Sequence, residues 1–177
     1  MTKNKSLKII GRIALFIALC MFLYAQIAPS LNLTKSNKSQ NINKKTFEPN
    51  FSEEGKGYFL NTNSDTIGDF KIELAETTKE IQIGMMWRKS MSVDMGMLFL
   101  MPEEKIQSFW MKNTYIPLDI IYINSKNQVV SIKENTKPMN ESPLPSEEPA
   151  IYVLEISGGI SAKLGIKPGN IWKWQKI

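Results

Sequence analysis

The sequence predicts a mainly β domain, at the margin of the α+β class, over residues 51–177. Three observations support this fold class. Short apolar runs separated by turn-forming residues dominate the region, helical patterns are short, and residues 69–75 alternate polar and apolar with the period of a half-buried strand. Because open strand edges promote aggregation, we expect a small barrel-like or strongly coiled sheet, antiparallel or mixed, with one or two short helices.

Eight apolar segments are expected to form the strands, because each is short and ends at a turn signal. The polar segment 124–127 predicts a hairpin turn between two of them. Four prolines lie within 136–149, which predicts a long irregular loop, and loops of this length are often functional. The expected strands are 58–60, 69–75, 95–100, 108–111, 118–123, 128–132, 150–156 and 171–174.

Two short helices are expected between these strands. Thr77 and Glu80 have the three-residue spacing of a capping box, which predicts a helix over 78–87. Two glycines at 158–159 precede a short amphipathic segment, which predicts a second helix over 160–164.

Residues 1–30 have the order of an export signal, with four basic residues and no acid before an apolar run at 13–27. The run is shorter than the roughly 20 residues that span a membrane comfortably. A small-x-small site ending at Ser30 favours a cleaved signal peptide; the alternative is a signal anchor held in the inner membrane by 13–27. We therefore expect an exported protein, periplasmic or extracellular if cleaved. Cys20 follows Leu19, which does not suit a lipoprotein signal, and is interpreted as a buried thiol.

Residues 31–50 are rich in Asn, Lys, Ser and Thr, which predicts a disordered tether. Its lysines either lie along anionic lipid headgroups, if the leader is retained, or are simply solvated. The chain carries a net charge of +5, of which 1–30 contribute +4 and 31–50 contribute +3, so that 51–177 carry −2. A nucleic-acid reader is expected to have a basic domain, and we exclude nucleic acid as a partner.

The chain has no histidine, and its one cysteine lies in the leader. The expected domain therefore has no Ser-His-Asp or Cys-His relay, no disulfide and no His- or Cys-based metal site. No glycine-rich phosphate-binding loop is present. We expect neither a metal nor a cofactor, and we favour a non-catalytic function.

A carboxylate pair is one chemical possibility that remains. Asp119 and Glu155 each lie within an apolar strand segment, and Asp94 and Glu73 are further candidates. Two carboxylates in one cleft are the catalytic groups of glycan hydrolases. The alternative is that each buried carboxylate has a structural partner such as Arg88, or caps a turn.

Methionines and aromatic residues give two further possibilities. Seven of the ten methionines lie within 85–111, and thioethers bind Cu(I), but methionines also fill gaps in a core, which is the interpretation we favour. Aromatic residues interleaved with polar ones suit a sugar or a peptide, although core packing is the commoner explanation for them. These aromatic residues are Trp87, Phe109, Trp110, Tyr115, Tyr122, Trp172 and Trp174.

Six motifs occur in order over about 68–174: Glu73-Leu74-Ala75, Gly84-Met85-Met86-Trp87-Arg88, Gly96-Met97-Leu98-Phe99, Phe109-Trp110-Met111-Lys112-Asn113-Thr114, Pro117-Leu118-Asp119-Ile120, and Tyr152-Val153-Leu154-Glu155 with Gly158. Together they resemble the uncharacterised bacterial and archaeal family called domain of unknown function 192. The resemblance implies a small β-rich fold, often secreted, and no established reaction. Met85 departs from the family, which more often has leucine there; the swap conserves volume.

The leading hypothesis is an exported cell-envelope module that binds a small polar or glycan-like ligand. One alternative is a glycan hydrolase that uses Asp119 and Glu155 as its catalytic carboxylates. Another is an envelope interaction or assembly protein, which would show a broad exposed apolar patch. The polar motif residues are expected to form one cluster, either a ligand site or a buried network. The candidate ligand-binding residues are Arg88, Trp110, Lys112, Asn113, Thr114, Asp119 and Glu155.

Overall fold

The structure, a computed structural model, describes residues 48–177. The predictions for 1–30, and for 31–50 apart from its last three residues, lie outside this part of the chain. No helix in the described part is long and apolar enough to cross a membrane.

Nine strands and two short helices form the described fold, so the mainly β prediction is confirmed. In chain order the elements are β1 (Gly55–Leu60), β2 (Thr66–Ala75), α1 (Thr78–Ile83), β3 (Met95–Lys105), β4 (Ser108–Phe109), β5 (Leu118–Ile123), β6 (Val129–Thr136), β7 (Leu144–Pro145), β8 (Ala150–Ser157), α2 (Ile160–Leu164) and β9 (Ile171–Lys176).

Seven strands form one mixed sheet in the order β6-β5-β8-β3-β2-β1-β9. β2 and β3 run parallel and are connected through α1, whereas the other neighbouring pairs are antiparallel. The two outermost strands approach each other at an isolated bridge between Gln128 and Ile171. Backbone hydrogen bonds flank this bridge, from the Val129 N–H to the Asn170 carbonyl at 2.9 Å and from the Trp172 N–H to the Asn127 carbonyl at 2.7 Å, and turns at 124–127 and 167–170 lie beside it. The sheet is not closed. Of the two expected forms, the fold is therefore the open coiled sheet and not the barrel.

Two apolar clusters lie on opposite faces of the central strands, because successive side chains of a strand alternate between faces. Leu98, Ile121 and Leu154 belong to the first cluster. Their chain neighbours Phe99 and Ile120 belong to the second, together with Met85 and Met111. Every residue of β5 is buried, so a polar side chain on this strand needs a partner on whichever face it occupies.

Helix α1 begins as the capping box predicts but ends earlier than expected. The Thr77 hydroxyl accepts a hydrogen bond from the Glu80 N–H at 3.2 Å, and the Glu80 carboxylate accepts one from the Thr77 N–H at 2.9 Å. The predicted end at Trp87 is wrong, because Gly84 has φ +48° and Trp87 has φ +64°, which right-handed helix does not accommodate. The four residues after α1 therefore form a non-helical segment beside the sheet.

Two short strands replace part of the predicted loop. The strand expected over 108–111 is limited to Ser108–Phe109, which pairs with Leu144–Pro145 inside the segment expected to be irregular. The Tyr122 hydroxyl donates a hydrogen bond to the Leu144 carbonyl, which ties this pair to the main sheet. The second helix, Ile160–Leu164, has the predicted bounds.

Candidate functional site

A pocket of about 240 Å³ lies between α1 and its following segment on one side and segment 108–114 on the other. Phe99 and Met101 of β3 and Glu155 of β8 complete its lining. Phe99 and Glu155 are almost fully buried, whereas Trp110 is 46% exposed, so the former lie at the base and Trp110 at the rim. The lining residues are Ile81, Gln82, Ile83, Gly84, Met85, Met86, Phe99, Met101, Ser108, Phe109, Trp110, Lys112, Thr114 and Glu155.

Gly84 allows the segment after α1, which forms one side of the pocket, to pass close over the base. Its φ of +48° lies in the region that favours glycine. A Cβ atom at this position would come within 3.0 Å of the Phe99 ring and within 3.9 Å of a Glu155 carboxylate oxygen. The absence of a side chain therefore brings the backbone after α1 against both base residues.

Trp110 and Lys112 form the rim of the pocket on the side of segment 108–114. The Lys112 ammonium lies 5.0 Å from the centroid of the Trp110 ring, within the range of a cation–π contact. The same ammonium is 3.7 Å from a carboxylate oxygen of Glu141. Thr114 is buried beside them, and its hydroxyl donates to the Lys112 carbonyl at 3.2 Å.

Three residues with unusual backbone angles meet behind this rim. Trp87, Asn113 and Met139 have φ values of +64°, +53° and +60°. The Trp87 N–H donates to the Asn113 carbonyl at 2.8 Å, and the Met139 N–H donates to the Thr114 carbonyl at 3.1 Å. Such conformations cost on the order of 1–3 kcal/mol each and cluster at functional sites. The backbone of the rim is thus held in one conformation by contacts between separate loops.

Glu155 is the buried acid of the pocket. It lies opposite Met97 of β3 and Ile120 of β5, so it faces the second apolar cluster. Its side chain is 4% exposed, and within residues 48–177 it has neither a hydrogen-bond donor nor an ion-pair partner. Burial raises the pKa of Glu155 to about 8, and the charge of Arg88 opposes this rise. The pKa of Tyr122 is raised by burial and by the negative charge of Glu155.

Arg88 is paired with Glu73 and not with Glu155. An Arg88 guanidinium nitrogen, Nη2, lies 2.7 Å from Oε1 of Glu73, and both side chains are largely buried. The Nε–H group of Arg88 is buried without an acceptor in the described part of the chain. Both residues line a second cavity of about 190 Å³, which adjoins the pocket through Ile83 and Gly84.

Asp119 lies on the opposite face of the sheet from Glu155 and is fully buried. Its Oδ1 accepts hydrogen bonds from the N–H groups of Asn135 at 2.6 Å and Gly159 at 2.9 Å. Its Oδ2 accepts from the N–H of Ser161 at 2.8 Å and the Ser161 hydroxyl at 2.6 Å. Since α2 has no side-chain cap of its own, Asp119 serves as that cap from a neighbouring strand.

The structure divides the seven predicted site residues into three groups. Trp110, Lys112, Thr114 and Glu155 line the pocket. Asn113 lies beside it, where its amide nitrogen is 3.7 Å from the Met86 sulfur. The remaining two, Arg88 and Asp119, lie in the Glu73 ion pair and under α2, so the expected single cluster of polar residues does not form.

Several lining residues were not predicted as site residues. Met85, Met86, Met101, Phe99 and Phe109 supply the apolar surface. The methionine cluster was visible in the sequence, but its residues divide between core and pocket, and their spacing does not distinguish the two. Among the described residues, no three His, Cys, Asp or Glu side chains are grouped so as to hold a metal.

A larger depression of about 550 Å³ lies on β1, β2 and β9; it contains none of the seven candidate ligand-binding residues, although Asp94 and Trp174 line it. Lys71 and Asp94, which line it, form an exposed ion pair at 3.4 Å. Exposed pairs of this kind contribute little energy and hold no fixed geometry. We therefore take the smaller pocket as the candidate site.

Comparison with known proteins gives a family and two solved relatives. Residues 59–174 match the family model DUF192, described as Uncharacterized ACR. A crystal structure of a protein of unknown function from Novosphingobium aromaticivorans is 40% identical, with a TM-score of 0.64 over 67% of this chain and 84% of that one. A proposed transcription regulator from Sinorhizobium meliloti is 35% identical, with a TM-score of 0.67 over 71% of this chain and 98% of that one. No curated protein matches the chain.

Proposed function

The chain belongs to the DUF192 family, and on this premise we propose that its β-rich domain is a non-enzymatic module that binds a small ligand in the pocket between Trp110 and Glu155. One observation carries the proposal. The Glu155 side chain lies at the base of the pocket, is only 4% exposed, and forms no hydrogen bond or ion pair in the described part of the chain. A largely buried carboxyl group without a partner is costly, and a ligand that supplies a hydrogen bond or an opposite charge would offset that cost.

The size of the pocket limits the ligand. An apolar cavity of about 150 Å³ accepts benzene, and drug-sized ligands occupy about 300–1,000 Å³. A pocket of about 240 Å³ therefore suits a molecule of about ten non-hydrogen atoms.

The lining limits its chemistry as well. Met85, Met86, Phe99, Met101 and Phe109 supply apolar surface, Glu155 supplies a polar contact at the base, and Gln82, Ser108, Lys112 and Thr114 add polar groups elsewhere in the lining. A sugar carries hydroxyl groups on all sides, and those that face the methionine and phenylalanine side chains would be left unpaired. The ligand that fits best has an apolar body with one polar end. Of the small polar and glycan-like ligands expected from the sequence, the glycan-like ones are therefore disfavoured.

The hydrolase alternative receives no support from the geometry. Its two carboxyl groups must flank one cleft at roughly 5–10 Å. Asp119 and Glu155 instead face opposite sides of the sheet, and Asp119 already accepts four hydrogen bonds. The assembly alternative is less favoured, because few large apolar side chains are exposed within 48–177 and exposed apolar residues in such numbers are normal.

Nucleic acid is not part of the proposal, although one similar structure is described as a proposed transcription regulator. Residues 51–177 carry a net charge of −2, and nucleic-acid affinity depends mainly on basic groups that contact phosphates. Export is part of the proposal and rests on residues 1–30. Fractionation of cells that express the chain, with mass analysis of its N-terminus, tests both export and cleavage near Ser30.

The binding proposal is tested by thermal shift and calorimetry on the protein recovered from cells that express the full chain. The probes are small amines, alcohols, carboxylates, monosaccharides and disaccharides of matched size. We expect at least one class with an apolar body to stabilise the wild type and to act less on Trp110→Ala. Asp69→Asn, an exposed change remote from the pocket, is the matched control. No stabilisation by any class would reject the proposal.

A further inference from the structure

We propose that the ligand of this pocket is an organic ammonium ion, held by the carboxylate of Glu155 and by the aromatic faces at its rim. This inference deepens the proposed function and rests on it. It specifies the charge of the ligand's polar end, which cannot be inferred from the shape and size of the pocket.

The charges around the pocket balance except at Glu155. Lys112 pairs with Glu141 at 3.7 Å, and Arg88 pairs with Glu73 at 2.7 Å. Glu155 forms no ion pair within the described residues, and Arg88, whose charge acts on it, is already paired with Glu73. When Glu155 is ionised, the pocket and its immediate neighbours therefore carry one uncompensated negative charge, which a cationic ligand neutralises.

The rim already accommodates an ammonium group. The Lys112 ammonium lies 5.0 Å from the centroid of the half-exposed Trp110 ring. This contact shows that the ring is accessible to a cation in a geometry that attracts it. A ligand ammonium bound at Glu155 would share the pocket with the partly exposed Lys112, whose charge opposes its binding.

The interior of the pocket supports the same choice. Phe99 and Phe109 meet edge to face with ring centroids 4.9 Å apart, and the methionine side chains beside them are polarizable. Where Glu155 is ionised, an anionic ligand would meet its carboxylate at the base and be repelled. A neutral alcohol is the competing ligand class, because a hydroxyl group can also donate to a carboxylate.

A pH dependence distinguishes a cation from an alcohol. The charged and titratable groups near Glu155 are Arg88, Tyr122 and Lys112, with Glu73 attached to Arg88. Burial raises the pKa of Glu155 to about 8, opposed by Arg88, so the acid is mostly neutral at pH 6.5 and mostly ionised at pH 9. A cation binds the ionised form, so its affinity rises over this range and its binding below pH 8 releases a proton. A neutral alcohol can donate to the ionised carboxylate and accept from the protonated carboxyl group, so its affinity changes much less over this range.

The experiment uses benzyltrimethylammonium, whose charge does not depend on pH, and benzyl alcohol as the neutral probe. Titration calorimetry at pH 6.5 and pH 9, in two buffers with different ionisation heats, gives the affinity and the protons released. We expect the cation to bind at least about tenfold more tightly at pH 9, and Glu155→Gln to abolish that increase. Circular dichroism of the variant checks its fold.

Lys112→Gln is a second variant. Because Lys112 is partly exposed, this change should leave the packing around Phe99 and Glu155 at the base of the pocket intact. Removal of the competing ammonium should raise the affinity for the cation by about twofold to fivefold. Equal affinity for the two probes with no dependence on pH would overturn this inference while leaving the binding pocket in place. If neither probe nor any compound of the wider screen binds, the proposed function itself fails.

Discussion

Asp119 and Glu155 lie on the paired strands β5 and β8, one register position apart, and their side chains point to opposite faces of the sheet. Ile120 is the residue directly opposite Glu155, and Ile156 is directly opposite Asp119. Because residues in direct register share a face, the two acids are separated by the thickness of the sheet. One carboxylate is saturated with hydrogen bonds under α2, and the other ends in a pocket without a partner.

Asp119→Asn is expected to destabilise the fold strongly. An asparagine directs an NH₂ group toward donors that the carboxylate now satisfies, which leaves a buried N–H without an acceptor. We expect the free energy of unfolding to fall by about 3 kcal/mol or more, measured by urea denaturation. Asp69→Asn, on an exposed position of β2, should change it by less than about 0.5 kcal/mol. Equal effects of the two changes would contradict the capping role.

Glu155 is expected to make the fold less stable as the pH rises. The ordinary pKa of a glutamate is 4.5, whereas burial raises that of Glu155 to about 8 in the folded chain. Between these two pH values the folded state binds more protons than the unfolded state, so the free energy of unfolding falls with increasing pH. Glu155→Gln removes this contribution, so the variant should exceed the wild type in stability by a few kcal/mol at pH 9 and by much less at pH 5.

Denaturation curves at a series of pH values give this difference directly. Other ionisable groups contribute to both proteins, so the difference between the variant and the wild type isolates Glu155. Parallel pH profiles for the two proteins would show that the carboxyl group titrates as an exposed one does.

The sequence predicts the strands of the sheet because apolar runs and polar alternation are local signals. It does not predict the pairing of Phe109 with Leu144, since these residues are far apart in the chain and the second lies in a proline-rich segment. The end of α1 was misplaced for a related reason. Trp87 continues an apolar helical pattern, but its N–H group donates to Asn113 and its φ is positive, and both follow from tertiary contacts.

The candidate site could be predicted only in part. Four of the seven predicted residues meet in the pocket: Trp110, Lys112 and Thr114 belong to one continuous motif, and Glu155 reaches them from β8. The partner of Arg88 was not identified as Glu73, since that contact depends on the parallel crossover from β2 to β3. Asp119 and Glu155 have similar apolar surroundings in the sequence, and only the register of their strands assigns them to different faces.

The ion pair of Arg88 and Glu73 is expected to be strongly coupled. Arg88→Gln leaves the Glu73 carboxylate largely buried without its cation, and Glu73→Gln leaves the guanidinium without its anion. Each single change should cost about 2–4 kcal/mol, and the double change should cost less than the sum by about 1–3 kcal/mol. Urea denaturation of the four proteins gives this coupling energy. Lys105 and Glu103, an exposed pair at 3.1 Å, provide a control cycle that should show almost no coupling, and similar values for the two cycles would contradict the role of burial.

Gly84→Ala is expected to damage both the fold and the pocket. The added Cβ atom must accept a φ of +48° and lies within 3.0 Å of the Phe99 ring, so we expect a loss of about 2–4 kcal/mol. Gly165→Ala is the matched control, because Gly165 also has a positive φ, +70°, but has no atom within 4 Å of the added Cβ. It should cost about 1 kcal/mol, the backbone contribution alone.

The effect of Gly84→Ala on the pocket is measured by thermal shift with a ligand that stabilises the wild type. Only Gly84→Ala should reduce the ligand-induced shift, because its Cβ enters the space between Phe99 and Glu155, and an equal reduction in both variants would contradict the assignment of the pocket as the ligand site.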